Sequence, residues 1–268
     1  SLLGAAGVNI GIGGSVQLVD AGVGPAPTFD WSGTTIEGPG AFDARAATIA
    51  LTGGSQTLSG ADFLASDLTV PVGQSLNVTG TTPSTLQIAS GGTTRVEGLL
   101  TLTTGSLSTT GPLEIDGTGG GLATIDLLQG NLAVPAGGYM ASGSITTALG
   151  TNIELIGGTF DFRDDSAISG AGGFSALAPF TVTGSLGGFD LGVPLTLGDF
   201  TIGGTGRIDL TSDLTIEGLT SFAGGIDVTA GGALAVTTDQ SPASLTVGSL
   251  TLANSALFLE NLAGGPVG

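Results

Sequence analysis

Few side chains among these 268 residues can do chemistry. The densest group is Asp161, Arg163, Asp164 and Asp165. Paired carboxylates of this kind act as acid and base on polysaccharides, or hold Ca2+. The plainer reading puts Asp161 on the solvent side of a strand, Phe160-Asp161-Phe162, with a charged turn after it. A second pair, Asp209 and Asp227, shares one setting, each in the middle of an apolar-Asp-apolar triplet. If those triplets stack, the carboxylates lie side by side and repel unless solvent or a cation separates them. No cofactor is expected; plain solvent exposure is the simpler reading of this pair, and Asp209 and Asp227 are the candidate ligands should a cation, Ca2+, bind. Thr196 and Thr215 repeat in the same way, as an ice-binding ladder requires, but the next equivalent residue is Ala235. The run Gly117–Gly121 after Asp116 lacks the Lys-Ser/Thr of a phosphate-binding loop and reads as a corner.

The missing residue types exclude more than the present ones propose. There is no Cys, so no disulfide framework, thiolate zinc site or catalytic thiol. There is no His, so no imidazole base and no Ser-His-Asp triad. The four basic residues are Arg45, Arg95, Arg163 and Arg207, against 22 acids, for a net charge of −18. A nucleic-acid partner is excluded on that balance, because its phosphates must be neutralised. No apolar run approaches the length of a membrane helix.

The elements that must position these residues are short strands. Gly accounts for 51 residues, and no extended helical stripe is found. What recurs is a triplet of large apolar, Thr, large apolar: Leu68-Thr69-Val70, Leu100-Thr101-Leu102, Phe180-Thr181-Val182, Leu195-Thr196-Leu197, Leu214-Thr215-Ile216 and Leu250-Thr251-Leu252. Each is a minimal strand, with outer side chains on one face and the middle one on the other. Turn-forming Gly, Asp, Asn or Ser follows most of them.

Spacing separates a solenoid from a meander. Leu195, Leu214 and Leu234 follow one another at nearly equal intervals, and so do Ile208, Ile226 and Leu245. Ile115, Val134 and Ile153 keep the same spacing, and so do Leu76 and Val96. The shared period is about 18–20 residues and holds two or three strands, which is one lap of a β-helix. The expectation is an all-β, single-chain, right-handed parallel β-helix of roughly 13 coils, a rod about 60 Å long at ordinary strand spacing. Its hand rests on the general preference of parallel crossovers. Residues 1–60 are less regular, carry Trp31, and read as an N-terminal cap or intersubunit segment. Residues 61–268 read as the rod, one continuous domain with the first section. The start at Ser1 suggests a processed product or a fragment.

The strand triplets, Gly/Thr/Ser corners, acidity and absence of Cys, as in GGTTRVEGLLTLTTGSLSTTG (91–111) and IDVTAGGALAVTT (226–238), resemble secreted bacterial β-helix surface proteins. Autotransporter passenger domains and filamentous-haemagglutinin-like adhesins are the class in question. The resemblance implies an extracellular, cell-surface location and roles in adhesion and matrix. It brings no catalytic or binding motif. The expected function is a non-enzymatic structural subunit of a filament or adhesive layer. It would form a homopolymer end to end, or by strand exchange, through the uncharged stretch SLLGAAGVNIGIGGSVQLV (1–19) and the apolar stretch NSALFLENLAGGPVG (254–268). Three alternatives stand beside it: an adhesin binding glycan or ice on a lateral face, a carbohydrate-active β-helix enzyme, and an outer-membrane barrel. The lack of aromatic girdles and the three-residue strands weigh against the barrel.

Overall fold

The computed structural model describes residues 2–3, 7–20, 26–80, 84–121, 123–184, 188–229, 231–237 and 243–260. Of the two terminal stretches expected to join rods, positions 1, 4–6 and 261–268 lie outside the described residues. Among the described residues there is no helix, and every strand pairing is parallel. The chain winds into about 10 coils of a β-solenoid. Parallel pairing rules out a hairpin meander, and it differs from membrane barrels, which pair antiparallel.

Strands of successive coils build three faces. One face begins with Thr28–Ser32 and Thr48–Thr52 and continues beside them as the six-stranded sheet from Leu68–Val70 to Phe180–Val182. The second is the longest sheet, running from Val8–Asn9 through Ser144 and Asp209 to the second half of Ser244–Leu252. The third starts at Ser15–Gln17, passes Ser106–Thr109 and continues beside it from Asn131–Val134 to Ala256–Glu260. At the last coils the corner between the first two faces disappears. Leu219–Val228 runs through both as one ten-residue strand, with a register shift between Phe222 and Gly225.

The triplet logic explains the core. Leu68 and Val70 are buried while Thr69 between them is not, and Leu214-Thr215-Ile216 repeats the pattern. Inward residues pile into one continuous column of Leu, Ile, Val and Phe. Two aromatic clusters thicken it. Phe29, Trp31, Phe42 and Phe63 pack together near the start. The second gathers around Phe162, further along the rod. Trp31 is fully buried, and its indole Nε1 donates to the Thr34 carbonyl at 2.9 Å. Residues 28–59 thus carry the same parallel ladders and inward core as the coils after residue 61.

Two expectations need correction. Laps are not uniform: Asp209 aligns with Asp227 after a short lap, Leu102 with Leu127 after a longer one, and Val8 with Ile36 after one longer still. With about 10 coils instead of 13, the rod is roughly 50 Å long at ordinary strand spacing. Some alignments also shift. Leu195, Leu214 and Leu234 do stack, and so do Ile208 and Ile226. Ile226, however, meets Leu250 and not Leu245; Leu76 meets Leu100 and not Val96; Ile115 meets Met140 and not Val134. The corners absorb different numbers of residues, so one fixed period fails in the longer laps.

Candidate functional site

The outward column of the six-stranded sheet gathers most of the reactive inventory. In register it reads Thr69, Arg95, Glu114, Tyr139, Asp161, Thr181, one residue per coil. Arg95 donates from Nε to Glu97 at 2.7 Å, from Nη1 to Glu114 at 3.2 Å and from Nη2 to Asp116 at 2.7 Å. The Tyr139 hydroxyl donates to the same Asp116 carboxylate at 3.0 Å. The Arg163 guanidinium lies 4.1 Å from the Tyr139 ring centre and donates from Nε to Asp161 at 2.8 Å. Asp161 also accepts from the Thr181 and Thr183 hydroxyls, at 2.7 and 2.8 Å. The network crosses consecutive coils from Arg95 to Thr181, so it laces them together on the outside of the rod.

Its electrostatics follow from these bonds. The Thr118 hydroxyl, with Tyr139 and Arg95 adding to it, holds Asp116 below the usual carboxylate range although burial opposes this. Burial alone would raise Asp161, yet hydrogen bonds from Arg163, Thr181 and Thr183 outweigh it and bring it down. Burial, and then the bond to Asp116, pushes Tyr139 up. The Asp161–Asp165 group is a strand residue plus a turn, the plainer of its two readings. Asp161 faces outward, Asp165 adopts a left-handed φ of 55°, and Ser166 Oγ closes the turn on the Arg163 carbonyl at 2.6 Å.

An acid titration reads these bonds directly. Asp116 and Asp161 titrate lower in the folded chain than in the unfolded one. The stability they contribute is complete above the ordinary carboxylate range, near pH 4, and is lost as pH falls through their folded values. Urea midpoints of the wild type should drop as pH falls below the ordinary carboxylate range, and those of Asp161→Asn should drop less. Parallel curves would show that Asp161 contributes nothing to the acid limb.

The second candidate pair behaves differently. Asp209 and Asp227 do pair on adjacent coils of the long sheet, and Asp190 extends the ladder by one coil. Sequence reasoning overlooked Asp190, although its Phe-Asp-Leu triplet is the same signal. Arg207 reaches into the ladder. It contacts Asp209 through Nε at 2.8 Å and Nη2 at 2.9 Å, and its Nε lies 3.5 Å from Asp227. Burial first, then the neighbouring Asp209 charge, raises Asp190. A guanidinium thus stands beside both carboxylates, where solvent or a bridging cation were the two readings. Among the described residues, no three His, Cys, Asp or Glu side chains converge to hold a metal. With Arg207 in place, calorimetric Ca2+ titration of the wild type and of Asp227→Asn should give equal heats. A binding heat lost in the variant would assign the pair to Ca2+.

Thr196 and Thr215 pair as expected, and Ala235 follows them. The Arg95 network itself was not foreseen. Its signal was available in Thr94-Arg95-Val96, Leu113-Glu114-Ile115 and Tyr139-Met140, but only the register aligns them.

Fold and surface together define the class: a parallel β-solenoid with an acidic exterior, whose charged side chains bond across coils. No protein-family model, curated protein or solved structure matches this chain.

Proposed function

We propose that this chain is a non-enzymatic structural rod, a subunit of a secreted filament or adhesive surface layer of the autotransporter-passenger or filamentous-haemagglutinin kind, assembling through its ends. One observation carries the reading: the inward columns stay apolar through the last described coil but lose their cover there. Ile226 and Val228 are fully buried, while their partners Leu250 and Leu252 are 39 % and 42 % exposed. Along the sides, by contrast, the Arg95, Arg163 and Arg207 clusters are bonded within the rod. The charge of −18 keeps lateral faces soluble and apart, and salt screens that repulsion.

A second reading has its own support. It is an adhesin that binds glycan on a lateral face, and it is supported by the acids, two Arg and the only Tyr that share one lateral stripe. Electron microscopy of the purified chain across salt and concentration decides between the two. Filaments with an axial repeat near the rod length are expected. Dispersed rods at every concentration would overturn assembly, and dispersed rods that retain glycans on an array would give the glycan reading its place.

A further inference from the structure

The third face carries a lateral patch that end-to-end assembly leaves unused. We infer that its stretch between residues 128 and 177 is a docking surface for a second copy of this chain, laid alongside the first with the two rods parallel. Strands Asn131–Val134, Asn152–Leu155 and Gly173–Ala176 stack there. Leu132, Ile153 and Phe174 point inward and are buried. Large aliphatic side chains stand outside, at both edges of the stack. Leu128 and Leu149 precede the first two strands and are 44 % and 86 % exposed. Ile156 and Leu177 follow the last two and are 46 % and 78 % exposed.

These edges repeat from coil to coil. The Ile156 and Leu177 amides donate to the Val134 and Leu155 carbonyls, the same bond one coil apart. Two coils further along, Glu217 takes that corner position, with its amide on the Leu197 carbonyl, and Asp213 stands at the opposite edge. The aliphatic stretch is therefore bounded by acids. Residues 123–184 are all described, and no described residue covers Leu149 or Leu177. Aliphatic side chains this exposed, side by side in consecutive coils, form a contiguous patch of the kind that marks an interaction site.

Charge selects the occupant. The outward column of the first face carries Arg95, Glu114 and Asp161, and the long sheet carries Asp126, Asp190, Asp209 and Asp227. The three strands of the patch hold one ionisable side chain, Glu154. The Asn131 and Asn152 amides both donate to its Oε1, at 3.0 and 3.2 Å. On a chain of charge −18, this is where a second copy meets the least repulsion. A two-fold axis running along the rods places Leu149 opposite Ile156, and Glu154 opposite Asn152, across the contact. Antiparallel rods centred on the same strand would set Glu154 against its own copy. Three short strands make a contact at the weak end of the size range, so pairing should need salt to screen the remaining charge.

Because the chain has no Cys, engineered thiols report the contact directly. Leu149→Cys and Ile156→Cys are made as separate variants and oxidised at raised salt, alone and as an equimolar mixture. The mixture should give disulfide-linked dimers, and neither variant alone should. Adding Leu177→Glu to both should abolish the cross-link. Leu149→Cys dimerising by itself overturns the parallel contact, and so does a cross-link that survives Leu177→Glu. No cross-link at any salt overturns the docking surface. Electron microscopy of the same samples reports the tips separately. Filaments without cross-links overturn this contact and leave end assembly standing, whereas cross-linked pairs that never elongate overturn end assembly and leave this contact standing.

Discussion

Phe162→Ala should be the most damaging single truncation in the rod, costing about 3–5 kcal/mol, the range for removing a buried aromatic ring. Phe162 is 1 % exposed and sits at the meeting point of four other phenylalanines. Its ring stacks on Phe189 at 3.9 Å between centres, meets Phe180 edge-on at 5.6 Å and Phe174 edge-on at 5.9 Å, and tilts against Phe160 at 5.0 Å. Phe160 shares its strand, Phe174 follows on the same lap and Phe180 and Phe189 come from the next, so all three faces contribute. Removing the ring therefore opens a cavity that neighbours held by their own ladders can fill only in part. In a solenoid each coil touches only its neighbours, so the loss divides the rod locally. Urea unfolding should show a lower midpoint, with a first transition assigned to the coils around residues 160–190. Phe162→Leu should recover more than half of the loss. Leu149→Ala, at a side chain 86 % exposed, should change stability by less than about 0.5 kcal/mol. If Phe162→Ala unfolds like Leu149→Ala, the stacked cluster is not what joins these coils.

The same coils show how far the sequence could be read. Apolar-X-apolar triplets marked the strands and the inward side correctly, because alternation is a local property: Phe160-Asp161-Phe162 and Leu195-Thr196-Leu197 bury their outer residues as the pattern demands. Register is not local. Where corners are tight, as between Leu195 and Leu214, the period aligned true partners. Between Leu102 and Leu127 the glycine-rich corner at 117–121 lengthens the lap beyond that period, and a fixed interval slides onto another face. Nothing in the residue types flags the slip, since Leu, Ile and Val point inward on every face. The lateral chemistry depends on that register. The Asp209–Asp227 pair was visible because its lap is short and its triplets nearly identical. Arg95, Glu114 and Tyr139 come together over one short lap and one long one, so their column is visible only after winding. Arg207 was equally hidden as the partner of the aspartates. Its contact with Asp227 crosses from one coil to the next, and no motif encodes it.

Gly111→Ala should cost several kcal/mol through a single methyl group, and the reason is space, not backbone freedom. Gly111 does not have a left-handed φ, so alanine could adopt its conformation. A Cβ there, however, would overlap the carbonyl oxygen of Gly92 on the coil below, and a Cβ on Gly92 would in turn overlap the carbonyl oxygen of Ser66. Ser66, Gly92 and Gly111 thus form a corner column where the backbone itself stacks from coil to coil. The obstructing atoms are carbonyls fixed by their own neighbours: the Gly92 amide donates to the Ala89 carbonyl at 3.0 Å, and the Ser66 hydroxyl to the Arg45 carbonyl at 2.7 Å. No flexible side chain can give way, so the corner must open. Overpacking costs about 1–3 kcal/mol where side chains can shift, and more where they cannot. Opening this corner also strains the adjoining ladder, in which Thr94 donates its amide to the Pro112 carbonyl and Leu113 pairs with Thr94. Gly150→Ala provides the contrast. Its φ is +83° but its surroundings are open, so only the left-handed penalty of about 1 kcal/mol applies. Thermal unfolding should therefore rank Gly111→Ala well below Gly150→Ala. The reverse order would mean that strained φ, and not coil-to-coil backbone contact, sets the demand for glycine at these corners.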